Sequence, residues 1–196
     1  MPSLVQPLIK TLKMSVLGTI LGVLLAIPFS FLATTIVTKN PVLTGIVRFF
    51  LNVIRTIPNM LLAAILVSMV GIGESTGVLT LTIFTFGLTA QLFYETIDTA
   101  ALEACESVGA NKFKTAVWAV WPQMIPSIVS YTFYALEINV RSSTVLGYVG
   151  AGGIGVILNT SLGLFKYDRV SLVILMIFVV VMIVDGLSEF IRRKLA

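Results

Sequence analysis

Five long stretches without a charged residue are the feature that most constrains how this chain folds. They cover residues 14–38, 56–73, 75–94, 115–136 and 170–184. A helix needs about 20 apolar residues to cross the hydrocarbon core of a bilayer. Hydrophobic residues make up 57% of the 196-residue chain, and a chain of this length has too small an interior to bury them all. We therefore predict an all-α integral membrane protein with about five transmembrane helices, folded as one domain over residues 1–196.

A sixth uncharged stretch, residues 142–165, is rich in glycine and hydroxyl side chains. Glycine weakens helices, so we predict irregular or re-entrant backbone here, buried in protein or lining a polar cavity. Near the N-terminus, Pro2 and Pro7 predict a short outer lead-in to the first span, and no cleavable signal peptide is expected.

The ends of the spans carry the orientation signal. The cluster Arg192-Arg193-Lys194 predicts a cytoplasmic C-terminus, and five spans then place the N-terminus outside. The 13 basic residues are otherwise scattered, mostly at segment ends. This distribution favours a multi-pass membrane protein in contact with lipid, and it does not indicate a nucleic-acid partner.

Two local patterns predict helix packing. Gly18 and Gly22 form a GxxxG pair, which permits close contact between helices, more often within one subunit than between two. Pro58 lacks an amide donor and is expected to kink the second span. Asp185 lies within the fifth span, where it either pairs with a basic group or faces the inner water boundary.

Catalytic and nucleotide-binding signatures are weak in this sequence. It has no histidine and a single cysteine, Cys105, so no metal-ligand cluster or nucleophile–base pair is evident. Residues 150–155 match GxGxxG, but a membrane-length segment precedes them where a dinucleotide site requires a strand. The phosphate-binding pattern GxxxxGK[ST] is absent. We predict a non-enzymatic chain without cofactors, whose energy source, if any, belongs to a partner.

The most charged internal segment, residues 98–122, separates the third and fourth spans. Asp98 or Thr99 is predicted to cap a short helix that Gly109 ends. Such a helix is too short to span and would lie at the inner face, near Trp118 and Trp121. An ordinary amphipathic connector is the plain alternative.

This segment resembles the "EAA" loop of ABC importer permeases. In that family the loop forms a cytoplasmic coupling helix, which docks on the ATPase and transmits its closure. The residues that carry the resemblance, and that would make the contact, are Glu103, Ala104, Cys105, Gly109 and Ala110.

Two further motifs are similar to those of phosphonate importer permeases: residues 137–141 (Glu-Ile-Asn-Val-Arg) followed by the glycine run 149–155, and residues 55–58 (Arg-Thr-Ile-Pro). The resemblance implies a methionine-importer-permease-like fold in a prokaryotic cell membrane. It also implies a second permease subunit (a homodimer), a cytoplasmic ATPase dimer that binds ATP and magnesium, and an extracytoplasmic solute-binding protein. The expected cargo is phosphonate or a related phosphorus oxyanion.

Glu137 and Arg141 are four residues apart, so one helix face carries both. They form either a structural ion pair or part of the translocation pathway. The pathway and gate candidates are Glu137, Asn139, Arg141, Ser142, Ser143 and Thr144. Three other functions stay open: a permease for methionine or another small polar solute, an ion-coupled carrier or channel, and a membrane enzyme.

Overall fold

The fold was analysed in a computed structural model that describes residues 2–34, 38, 40–99 and 116–195. In these ranges the chain is helical and contains no strand, as predicted. The predicted coupling helix around residues 103–110 lies outside the described residues. The α-helices are α1 (Pro2–Leu32), α2 (Pro41–Thr56), α3 (Asn59–Val70), α4 (Glu74–Thr99), α5 (Trp121–Leu146), α6 (Ile154–Gly163) and α7 (Tyr167–Leu195).

Three helices are each long and apolar enough to cross a membrane: Leu4–Leu32, Glu74–Thr99 and Tyr167–Arg193. Two bent pairs reach the same length together, α2 with α3 and α5 with α6. Counting each bent pair as one span gives five spans, which agrees with the prediction of about five.

The first helix begins earlier than the prolines suggested. Pro2 opens α1 and Pro7 lies inside it, so these residues are part of the first helix and form no separate lead-in. Amides of the first helical turn have no carbonyl partner within the helix, and proline at the start of a helix therefore loses little.

The second span is broken at Pro58, as its missing amide predicted. The axes of α2 and α3 meet at 90°. Asn40 caps α2 by accepting a hydrogen bond from the Val42 amide at 3.0 Å, and Pro41 occupies the first helical turn. These start signals make α2 a helix of its own. At 12 residues, α3 rises only about 18 Å and does not span alone.

The centre of the bundle is the contact between α1 and α4, which explains the GxxxG pair. A Cβ atom on Gly22 would lie 2.6 Å from the Cβ of Thr85 and 2.8 Å from the carbonyl oxygen of Thr82. A Cβ on Gly18 would lie 2.6 Å from the Cβ of Leu81. The pair therefore packs α1 on α4 within one chain, the alternative that the sequence favoured.

The glycine-rich stretch leaves the α-helix over residues 147–153 and again in the turn at residues 164–165. The helix α5 continues to Leu146, and α6 resumes at Ile154. Gly152 and Gly153 have φ of 85° and 76°, a region that side chains disfavour. Gly155 packs against the end of α5, where a Cβ would overlap the Thr144 carbonyl. Glycine here bends a span and allows close approach, and the helix continues on both sides.

Asp98 and Thr99 belong to the last turn of α4, so the prediction that one of them begins a new helix was wrong. A partner explains the difference. The Asp98 carboxylate forms an ion pair with Arg48 of α2, with an Nη2–Oδ2 distance of 2.5 Å. That contact fixes the end of α4 against its neighbour.

Candidate functional site

The end of the bundle from which residues 100–115 leave is braced by Arg48 and Asp98. Arg48 donates from Nε to the Ala33 carbonyl at 2.7 Å, beside its ion pair with Asp98. The Thr34 hydroxyl donates to the other Asp98 oxygen at 2.7 Å. The C-terminal ends of α1 and α4 are thus tied to the middle of α2 where the connecting segment begins.

A chain of four charged residues joins α5 to α7. Glu137 and Arg141 form the ion pair that their spacing predicted. Arg141 also contacts Asp185 of α7 at 3.2 Å between Nη2 and Oδ2, so Asp185 does pair with a basic group. Arg192 approaches the second Glu137 oxygen at 3.5 Å. Two carboxylates and two guanidinium groups alternate along the two helices, and their charges balance.

Arg141 remains 53% exposed despite its two acidic partners. It lies on one face of α5 with two other exposed side chains, Tyr134 and Val145, at spacings that a helix brings into line. A charged group that faces acyl chains is costly. This face of α5, which we call the arginine face, therefore fits a polar or protein-covered environment better than lipid.

Asn139 is fully buried and ties three helices together. Its Nδ2 donates to the Thr19 hydroxyl of α1 at 2.8 Å and to the Thr85 hydroxyl of α4 at 2.6 Å. Ser143, one turn further along α5, is also fully buried and shares a hydrogen bond of 3.1 Å with Ser15 of α1. Neither Asn139 nor Ser143 offers surface to a solute in this conformation.

The two remaining pathway candidates are partly buried. The Ser142 hydroxyl accepts a hydrogen bond from the Asn59 amide at 3.2 Å, which connects α5 to the first residue of α3. Thr144 faces a cavity of about 10 Å³ between α1, α5, α6 and α7, which has room for at most one water molecule. Asn59 Oδ1 is buried without a hydrogen-bond partner, so this junction keeps one free acceptor.

The sequence pattern did not single out the hydroxyl partners of Asn139. Ser15 and Thr19 are four residues apart on α1, next to the GxxxG glycines, and Thr85 belongs to a run of buried threonines on α4. Polar residues at this spacing inside an apolar span mark an interhelical contact, so the signal was present. Arg192 was predicted only as an interface anchor, and no spacing rule connects it to Glu137 on another helix.

Among the residues that the structure describes, no three carboxylate, thiol or imidazole groups are placed to hold a metal ion. Several charged groups instead pair between helices: Lys10 with Glu74, Arg48 with Asp98, Arg141 with Asp185 and Arg192 with Glu137. The arrangement suits a helix bundle that keeps polar groups at membrane depth.

Comparison with known proteins gives the family. The family model described as "Binding-protein-dependent transport system inner membrane component" matches residues 18–196. The phosphite transport system permease protein PtxC of Stutzerimonas stutzeri is 37% identical over 97% of this chain and 70% of its own length. The phosphate-import permease protein PhnE of Mycolicibacterium smegmatis is 36% identical over 95% of this chain. This chain spans only 36% of that longer relative.

The fold has a solved counterpart as well. The inward-facing MetNI methionine ABC transporter contains a chain that superposes with a TM-score of 0.85, at 23% identity, over 100% of this chain and 97% of that one. The predicted methionine-importer-permease-like fold is thereby confirmed. The chain belongs to the inner membrane components of binding-protein-dependent transport systems, and it is a non-catalytic permease subunit.

Proposed function

We propose that this chain forms the translocation pathway of an ATP-driven importer for phosphite, phosphate or a phosphonate. The observation that carries the proposal is the similarity, over nearly the whole chain, to two permeases named for phosphorus oxyanions. We treat residues 1–196 as one permease domain in a prokaryotic cell membrane, with the C-terminus in the cytoplasm. Its partners are a second copy of the chain, a cytoplasmic ATPase dimer that binds ATP and magnesium, and an extracytoplasmic binding protein.

The arginine face of α5 is the part of the described structure that best fits a pathway lining. Arg141 is held in place by Glu137 and Asp185, so its charge is largely compensated. A compensated guanidinium contacts an oxyanion weakly, which suits passage better than retention. Ser142 and Thr144 flank this face. Asn139 and Ser143 act from behind it, by fixing α5 against α1 and α4.

Uptake by the reconstituted complex tests the substrate. The chain, its ATPase and its binding protein are placed in proteoliposomes, and entry of phosphite, phosphate, methylphosphonate and methionine is measured with and without ATP. We expect ATP-dependent entry of at least one phosphorus oxyanion and none of methionine. Uptake of methionine alone, or uptake that needs neither ATP nor the binding protein, would contradict the proposal.

Cys105 provides a direct test of the coupling segment, since it is the only cysteine of the chain and lies among the residues that resemble the coupling helix. A bifunctional maleimide should crosslink it to a cysteine in the ATPase without further changes to the permease. The matched control moves the cysteine to the far end of α7, as Cys105→Ala with Ser171→Cys, and should give no crosslink. Absence of crosslinking from Cys105 in every nucleotide state would remove the coupling role.

A further inference from the structure

A second, larger cavity, of about 240 Å³ and open to the surface, lies beside the turn between α6 and α7. One water molecule needs only about 10–15 Å³ by the same measure, so the space admits a small ligand. Its wall combines two cations, two hydroxyl side chains and three aliphatic ones: Lys166, Arg169, Thr160, Ser161, Leu4, Ile157 and Leu164.

The two cations of this cavity are not held in ion pairs within the described part of the chain. Lys166 and Arg169 are exposed, and neither forms an ion pair with any residue that the structure describes. Several other cations do have an acidic partner: Lys10 contacts Glu74 at 2.6 Å, and Arg141 has two such partners. Asp168 is the one acid near them in the sequence, and it forms no ion pair with either cation in the described structure. Two cations on one cavity wall repel each other, and an anion between them would relieve that repulsion.

Hydrogen bonds within the turn reduce the repulsion that the carbonyl oxygens at the end of α6 would exert on an anion. Three carbonyls in the last turn of α6 accept hydrogen bonds from the turn itself: Thr160 from Leu164, Leu162 from Phe165 and Ser161 from Lys166, at 3.0 to 3.1 Å. Carbonyl oxygens at a helix C-terminus otherwise repel negative charge. Closing these bonds requires Phe165 to adopt a φ of 54°, which is uncommon for a residue with a side chain.

The same turn positions the cation and the hydroxyl together. The Lys166 amide donates to the Ser161 carbonyl oxygen. The backbone of the lysine therefore lies beside the serine whose side chain lines the cavity. Lysine offers a compact charge and arginine a planar fork of donors, the two groups that proteins use most for phosphate. The aliphatic wall of Leu4, Ile157 and Leu164 leaves room for an apolar substituent on the ligand.

We propose that this cavity binds a phosphate group, carried either by an anionic phospholipid or by a free phosphorus oxyanion. Lys166 and Arg169 contact the phosphate oxygens, and the Ser161 hydroxyl donates to one of them. A lipid would place its acyl chain along Leu4 and Ile157. The inference concerns this cavity alone, and it holds whichever solute the permease transports.

Thermal unfolding of the purified full chain in neutral detergent tests this site, followed by the fluorescence of its two tryptophans. The probes are phosphatidylglycerol, a diacylglycerol with the same acyl chains, inorganic phosphate and methylphosphonate. We expect phosphatidylglycerol to protect at lower concentration than diacylglycerol if the lipid is the ligand. Protection by phosphate or methylphosphonate identifies the free ion.

The double variant Lys166→Gln, Arg169→Gln should lower the affinity for whichever probe protects the parent chain, by about tenfold for each cation removed. The matched control, Lys13→Gln with Arg193→Gln, removes the same charge elsewhere and should leave the affinity unchanged. Ser161→Ala, which removes only one oxygen, should weaken binding several-fold and serves if the double variant does not fold. Equal protection by both lipids with no effect of either ion, or unchanged affinity in the cavity variants, would overturn the proposal.

Discussion

Replacing Asn139 by alanine should loosen the junction of α1, α4 and α5. The side chain is fully buried, and its amide nitrogen donates to Thr19 and Thr85 at 2.8 and 2.6 Å. Alanine removes both bonds and leaves two hydroxyls without their donor. No other side chain in the described structure links these three helices through one group.

The magnitude follows from the number of bonds and their environment. Interhelical hydrogen bonds in membrane proteins contribute about 0.6 kcal/mol on average and at most about 1.7 kcal/mol. Two such bonds give about 1 to 3 kcal/mol. Asn139 Oδ1 is buried without a hydrogen-bond partner. Because a buried unpaired acceptor is destabilising, its removal offsets part of the stability lost with the two bonds. We therefore expect Asn139→Ala to lower the free energy of unfolding by about 1 to 2 kcal/mol.

Unfolding by dodecyl sulfate in mixed micelles measures this change. Trp121 lies 6.2 Å from Phe31 between ring centroids, so tryptophan fluorescence reports separation of α5 from α1. The matched control is Asn52→Ala, an exposed asparagine on α2, which should stay within about 0.5 kcal/mol of the parent.

A larger apolar replacement distinguishes the effect of the lost hydrogen bonds from the effect of the lost side-chain volume. Asn139→Leu restores side-chain bulk without the donor, and it should remain destabilising unless Thr19 and Thr85 are also changed to valine. Apolar replacement of all the partners together is expected to be nearly neutral. An unfolding midpoint for Asn139→Ala equal to that of the parent chain would refute the role assigned to these bonds.

Three further predictions follow from the same structure. Gly22→Ala should destabilise the chain by about 2 kcal/mol or more, since its Cβ would meet Thr85. Gly45→Ala, with no atom within 4 Å of the added Cβ, should be neutral or stabilising in the same unfolding assay. Glu137→Gln should cost about 1 to 2 kcal/mol because two arginines share this acid. A cost no greater than that of Glu189→Gln, which breaks one exposed pair, would contradict this. Glu103→Lys should leave the assembled complex hydrolysing ATP without uptake, and full uptake in that variant would exclude the proposed coupling contact.

The sequence was sufficient to predict which segments are membrane-spanning helices, because that property depends on local composition. Uncharged runs of membrane length gave the all-α class and the number of spans, and Pro58 gave the break in the second. Boundaries were less accurate. Charges were used as the ends of spans, yet Glu95 lies inside α4 and Glu137 inside α5. Asp98 and Arg141, further along the same two helices, pair with residues of neighbouring helices.

What the sequence by itself determined is therefore the membrane class, the helical content, the kink at Pro58 and the family motifs, since each is set by residues close together along the chain. The tertiary structure decided which polar groups meet. Asn139 and Ser143 turn inward to α1, while Arg141 faces outward between acids on two helices. Residues 15, 85, 139 and 185 are far apart along the chain. The close approach of α1 to α4 at Gly18 and Gly22, and the packing of α5 against α1, α4 and α7, bring these residues close enough for the bonds to form.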